Sequence, residues 1–186
     1  PSVFNTCQIM NGLTAWYRET GDARTLAAVR RAGDWICEVQ DGDGAFRRHI
    51  YNGLVTTYTS HASCWLAELG ETLGERRYVD AAVRHMDWVL GHRDASTGWI
   101  DLAGFLPEDH AARRSVTHTI AYTLWGVLFT ALVAGRDDAV AAIRESALGI
   151  ARRVQLSGHL PGMLDHRWRG VADYACLTGN AQMALI

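Results

Sequence analysis

The sequence predicts an all-α protein built from tandem helical hairpins. Three observations carry that prediction. Apolar residues recur at helical spacing through most of the chain. Near-copies of one two-helix unit lie 53 residues apart. Strand-like alternation is absent over any useful length.

Taken in order, Ile9, Leu13 and Trp16 fall at i, i+4 and i+7 and mark the first helix. Leu26, Val29, Gly33 and Ile36 mark its partner. Segment 15–46 then resembles segment 64–100. Gly21 matches Gly74, Asp34 matches Asp87 and Trp35 matches Trp88, each at an offset of 53. Helix 77–90 is apolar on two faces, Val79, Val83, Met86 and Leu90 on one, Tyr78, Ala82 and Val89 on another. That pattern predicts more than one packing neighbour. In a third, weaker unit Gly135 takes the place of Gly21 and Gly74. Val140, Ile143, Ala147, Ile150 and Val154 then form a helix over 140–154. A fourth unit opens at Gly179-Asn180-Ala181-Gln182, which resembles Asn5-Thr6-Cys7-Gln8. The units run over about 5–56, 57–115, 116–175 and, incomplete, 176–186. They make about three and a half hairpins in one domain over 1–186. The three glycines suit left-handed helix C-caps, with Asp22, Glu75 and Asp137 starting the helices that follow.

Composition narrows the function classes. The chain has 186 residues, is 48% hydrophobic and 20% charged, and carries a formal charge of −2. That is the composition of a packed domain and gives no general reason to expect nucleic acid as a partner. All 18 basic residues are arginine, so lysine chemistry is excluded. Cys7, Cys37, Cys64 and Cys176 lie on separate segments without a CxxC pair and read as small buried thiols rather than ligands, so neither a metal nor a cofactor is expected. No transmembrane span is expected. The opening proline and the apolar close at AQMALI suggest an excerpt of a longer protein. A cytoplasmic setting is favoured. An open ring of hairpins predicts that further hairpins or a second chain cover its apolar edges.

The connections are asymmetric. Turns within a unit are short (ETGDA, TLGER, AGRDD), whereas connections between units, roughly 41–57, 93–116 and 156–177, are long. In a ring of hairpins the long loops gather at one end. Long loops in compact domains usually carry function, so that end is the candidate active face.

Three constellations stand there. His118 and Tyr122 in VTHTIAYTLW share one helix face at i and i+4, and such a pair can remove and return a proton. Asp165 and Asp173 in LDHRWRGVADYACLTG, with Trp168 and Tyr174 beside them, offer carboxylates near aromatic platforms. That combination suits glycan binding or glycoside hydrolysis, while a capping role for an aspartate before 176–186 is the competing reading. Tyr58 and His61 in HIYNGLVTTYTSH lie at i and i+3 of a helix start and could face a central cavity. Asn5, Gln8, Asn180 and Gln182 hold corresponding helix starts, where they either line a cleft or cap helices. Arg113 and Arg114 form a loop pair suited to carboxylates if they converge, and Trp99 and Trp168 lie in long loops as stacking candidates. Asp41-Gly42-Asp43-Gly44 lacks the acidic twelfth position of a calcium loop and reads as a turn.

The strings VFNTCQIMNGL, VTHTIAYTLWGVL and CLTGNAQ resemble the (α/α)-toroid proteins of bacterial polysaccharide-biosynthesis loci, some called VpsJ-like. The resemblance spans nearly the whole chain and implies that the hairpins form part of an (α/α) toroid. Glycosidases, polysaccharide lyases, sugar epimerases and isoprenoid enzymes share that superfamily fold. The resemblance therefore implies a carbohydrate-active protein of lyase, hydrolase or epimerase type, working on a bacterial polysaccharide or its precursor. A non-catalytic glycan-binding or scaffold module is the alternative. A terpenoid cyclase or prenyltransferase is disfavoured because neither DDxxD nor DxDD occurs. Where the family pattern expects glycine, this chain has Cys7.

Overall fold

The computed structural model describes residues 1–186, with the side chains of all but 155–157. Its helices are α1 (Val3–Thr20), α2 (Ala23–Val39), α3 (Ser60–Leu73), α4 (Arg76–Leu90), α5 (Pro107–Ala111), α6 (Thr117–Ala134), α7 (Asp137–Ser157) and α8 (Leu177–Met183). The hairpins are α1/α2, α3/α4 and α6/α7. Helices α1, α3, α6 and α8 pack side by side in that order, and α2, α4 and α7 back them from outside, with α4 also reaching α6. This is an incomplete (α/α) toroid: an inner arc of four helices and an outer arc of three.

The repeat is visible in the caps. Gly21, Gly74 and Gly135 end α1, α3 and α6 with φ of 65°, 66° and 67°. Asp22 caps α2, its carboxylate accepting the Thr25 N–H at 2.7 Å. In the other two hairpins the capping differs from expectation. Glu75 precedes α4 without a side-chain cap bond, and Arg136 precedes α7, with Asp137 already inside the first turn. Two apolar clusters fill the space between arcs. One is centred on Met10, Ile36, Leu66 and Tyr78, the other on Met86, Trp99, Leu124 and Ile143. Cys7 and Cys64 are buried within the fold, and burial pushes both thiols well above their ordinary pKa.

Two glycines set the spacing of the inner arc near the long-loop end. A Cβ on Gly126 of α6 would collide with the backbone of Ser60 and His61 on α3. A Cβ on Gly179 of α8 would stand 2.6 Å from Thr117 Oγ1 and 2.7 Å from the His118 nitrogen. The start of α3 therefore meets the middle of α6, and the start of α8 meets the start of α6, backbone to backbone.

Two features depart from the sequence reading. Strands β1 (Arg114–Val116) and β2 (Met163–Asp165) form an antiparallel ribbon, Ser115 opposite Leu164, that ties two long loops together. Three residues are too few for alternation to register. Helix α6 is long and apolar enough, by length and composition, to cross a membrane. Here it is the central inner helix, with residues such as Ile120, Leu124 and Val127 buried against its neighbours.

Candidate functional site

The inner helices begin where the long loops end, and within their first two turns they present four polar side chains that meet. Gln8 comes from α1, His61 from α3, His118 from α6 and Gln182 from α8. All four are half-buried. They pair two by two: Gln8 Nε2 lies 2.9 Å from His61 Nδ1, and Gln182 Oε1 lies 2.8 Å from His118 Nδ1. Tyr122 stands between the two imidazoles, its ring centroid 4.0 Å from His61 and 4.2 Å from His118. Phe4 of α1 closes on the same group, 5.7 Å from the Tyr122 ring.

The hydrogen bonds set the tautomers. The Gln8 amide donates through Nε2, so His61 Nδ1 accepts and the proton of the neutral ring sits on Nε2. Gln182 accepts through Oε1, so His118 Nδ1 donates and His118 Nε2 is left for a ligand. Burial, and then the nearby His118, push the His61 pKa down to about 4, so His61 is neutral at neutral pH.

Beside this row lies a cavity of about 170 Å³ lined by His61, Trp65, Ala121, Tyr122, Trp125, Gln182 and Leu185. The indole N–H groups of Trp65 and Trp125 are buried without a hydrogen-bond partner. Buried donors ordinarily find an acceptor, and a ligand oxygen in this cavity would supply one. The row and its lining offer aromatic faces, amides and imidazoles, which is the chemistry that grips a polyol. No carboxylate lines the cavity among the described residues. Glu68 shares the α3 face of His61 and Trp65 at i+7, a turn further toward the short-turn end. Burial lifts its carboxyl above the ordinary value against the pull of Arg18, which it meets at 3.1 Å.

The other sequence candidates are placed differently. Tyr58 is buried, edge-on to Phe4 at 6.0 Å and next to Phe105 at 5.4 Å, so it supports the row from behind. Asn180 is half-buried on α8 and lines an apolar cleft between α7 and α8 rather than the row. Asp165 is a structural anchor. Its carboxylate accepts the backbone N–H groups of Arg167 and Arg169 at 2.9 and 3.0 Å and the Arg169 guanidinium at 2.8 Å. Burial raises its pKa, but these hydrogen bonds outweigh it and hold the carboxyl below the ordinary range. Asp173 and Tyr174 are exposed at the long-loop rim, and Asp173 makes no ion pair among the described residues. Helix α8 is capped by the Cys176 sulfur, which accepts the Gly179 N–H, rather than by an aspartate.

The loop tryptophans and arginines are also anchors. Trp99 is 1% exposed and Trp168 9%, packed edge to face at 5.2 Å, so neither offers a free stacking face. Trp168 Nε1 donates to the Thr97 carbonyl at 2.7 Å. Arg113 donates to Asp101 at 2.9 Å and Arg114 to buried Asp109 at 2.9 Å, so the pair fastens the loop instead of converging on a ligand. Arg47 occupies both Asp41 and Asp43, in keeping with the turn reading of that segment. Sequence reasoning takes Trp65 and Trp125 as core from their helical spacing and passes over Phe4 and Glu68; only the tertiary arrangement shows the two indole donors left without partners.

The family model for the catalytic domain of β-L-arabinofuranosidases, GH127, matches residues 1–186, the whole chain. The chain belongs to the GH127 β-L-arabinofuranosidase catalytic-domain family. A comparison with curated proteins finds no match. GH127 membership makes this a glycoside hydrolase domain on a toroid scaffold, as the broader resemblance implied. The family that matches is an arabinofuranosidase family and not a VpsJ-like one. Isoprenoid chemistry is set aside by the same match.

Proposed function

We propose that the row Gln8, His61, His118 and Gln182, with Tyr122 at its centre, receives the terminal furanose of a β-L-arabinofuranoside-bearing glycan. The reading is supported above all by the convergence of two amide–imidazole pairs on one aromatic ring at the loop end of the inner arc. His61 Nε2–H donates to one sugar hydroxyl, and His118 Nε2 hydrogen-bonds to another. Tyr122 covers an apolar patch of the ring, and the unpartnered indole N–H groups of Trp65 and Trp125 give further donors. These residues bind and orient the sugar. The amides keep each imidazole in one tautomer, and that preorganisation matters most in the transition state.

Asp173 and Tyr174, exposed on the rim, are proposed to meet the rest of the glycan. Work on a bacterial polysaccharide or its precursor rests on the sequence strings alone. Steady-state kinetics on 4-nitrophenyl β-L-arabinofuranoside test the proposal. We expect turnover by the unmodified protein, and a loss of roughly tenfold to a hundredfold in kcat/KM for His118→Ala and for Gln182→Ala, each removing about one or two hydrogen bonds to substrate or its holder. Unchanged kcat/KM in both variants overturns it. Saccharide binding without product would favour the glycan-binding alternative, for which the carboxylate-free lining of the described cavity speaks.

A further inference from the structure

A second cleft, of about 630 Å³, lies on the outer flank between α7, the loop 93–98 and the turn 165–170. Five arginines line it: Arg93, Arg152, Arg153, Arg167 and Arg169. Glu145 is the one carboxylate in that lining, and it is engaged by Arg93 at 2.6 Å. Asp165 engages Arg169 from behind at 2.6 Å. Arg152 and Arg167 are exposed and make no ion pair among the described residues. The cleft therefore keeps a local positive excess in a chain whose formal charge is −2.

The cleft is held in shape by its own bonds. Two backbone N–H groups bound to Asp165 and the Trp168 indole bound to Thr97 fix the turn that carries Arg167 and Arg169. Trp168 takes a left-handed backbone, φ 59°, and packs on Gly149 of α7, where a side chain would strike its indole. Arg152 and Arg167 bring like charge to one cleft, and like charges repel. A polyanion relieves that repulsion through charge-assisted hydrogen bonds. The volume falls in the range of roughly 300–1,000 Å³ typical of sites for whole ligands, larger than one oxyanion fills. The arginines come from three separate segments around it, which suits charges spaced along a chain.

We propose that this cleft binds the carboxylates of an acidic glycan, a chain of uronic acid residues, outside the ring and apart from the Gln8–Gln182 row. The choice of a glycan rests on the saccharide reading above, whereas the need for anionic groups rests on the arginines. Isothermal titration with trigalacturonate at low salt tests it, using the unmodified protein and the double variant Arg152→Gln/Arg167→Gln. Both arginines are surface residues, and the variant's melting temperature verifies its fold. Expected are binding of trigalacturonate at least about tenfold tighter than of neutral maltotriose, weakening as salt rises, and a loss of roughly tenfold or more in the double variant. No binding, or binding the double variant retains, overturns the proposal. Tighter binding of inorganic phosphate, or of a thymidine oligonucleotide of equal charge, than of trigalacturonate overturns the glycan assignment. Heat of binding requires no turnover, so this result is read independently of whether the arabinofuranoside is hydrolysed.

Discussion

His61 and His85 are both neutral at neutral pH because they are buried, yet they serve different ends. His61 faces the candidate sugar site, whereas His85 is wholly enclosed, its Nδ1–H donating to the Gly44 carbonyl at 2.9 Å and its Nε2 unpartnered. Burial lowers both to about 4, from an ordinary value near 6.5. The unfolded chain then binds more protons than the folded one between those values. Stability is full above about pH 6.5 and falls as pH drops toward 4, by up to about 3 kcal/mol for His85 and less for His61. Thermal melts at pH 7.5, 6 and 5 should show a progressive fall. A midpoint that is flat or rises on acidification contradicts this assignment. At the same scale, Arg113 and Arg114 show why residue type alone misleads. Their partners, Asp101 and Asp109, lie 12 and 5 residues away, and no periodicity announces such a pairing.

At the scale of elements, the hairpins were legible because each is bounded by a C-cap glycine and filled by an apolar stripe. The 53-residue offset between Gly21 and Gly74 reports a physical repeat of α1 in α3. The β1–β2 ribbon was not legible, since its three-residue strands are specified by pairing across two loops and not by local alternation. The inner arc depends on close approach. Gly126→Ala would press a methyl group into the Ser60–His61 backbone, and relief requires α3 and α6 to separate. The expected cost is about 1–3 kcal/mol of stability, with loss of saccharide affinity beyond the loss of fold because His61 moves relative to Tyr122. Denaturant unfolding with a parallel binding measurement checks both. Undiminished stability would show that the two helices have room to spare.

At the scale of the molecule, the arrangement separates tasks between its ends. Short turns close one end, while the other gathers long loops, the interlocking ribbon and the first turns of four inner helices. The tandem hairpins follow from turn lengths and repeats, and the toroid from the family resemblance. Of the proposed site, His61, His118, Tyr122 and Gln182 are sequence candidates that the fold brings together. The remainder required the folded chain. Whether a tryptophan donor is satisfied, or a loop aspartate anchors a turn, depends on segments far apart in sequence, as with Trp168 and Thr97, 71 residues apart. Imidazole NMR resonances during titration with methyl β-L-arabinofuranoside test the central claim most directly. The chain has eight histidines, and the account predicts that His61 and His118 shift together and saturate at one sugar concentration while His85 and His92 stay still. Saturable binding that leaves both His61 and His118 unmoved would place the sugar elsewhere and contradict it.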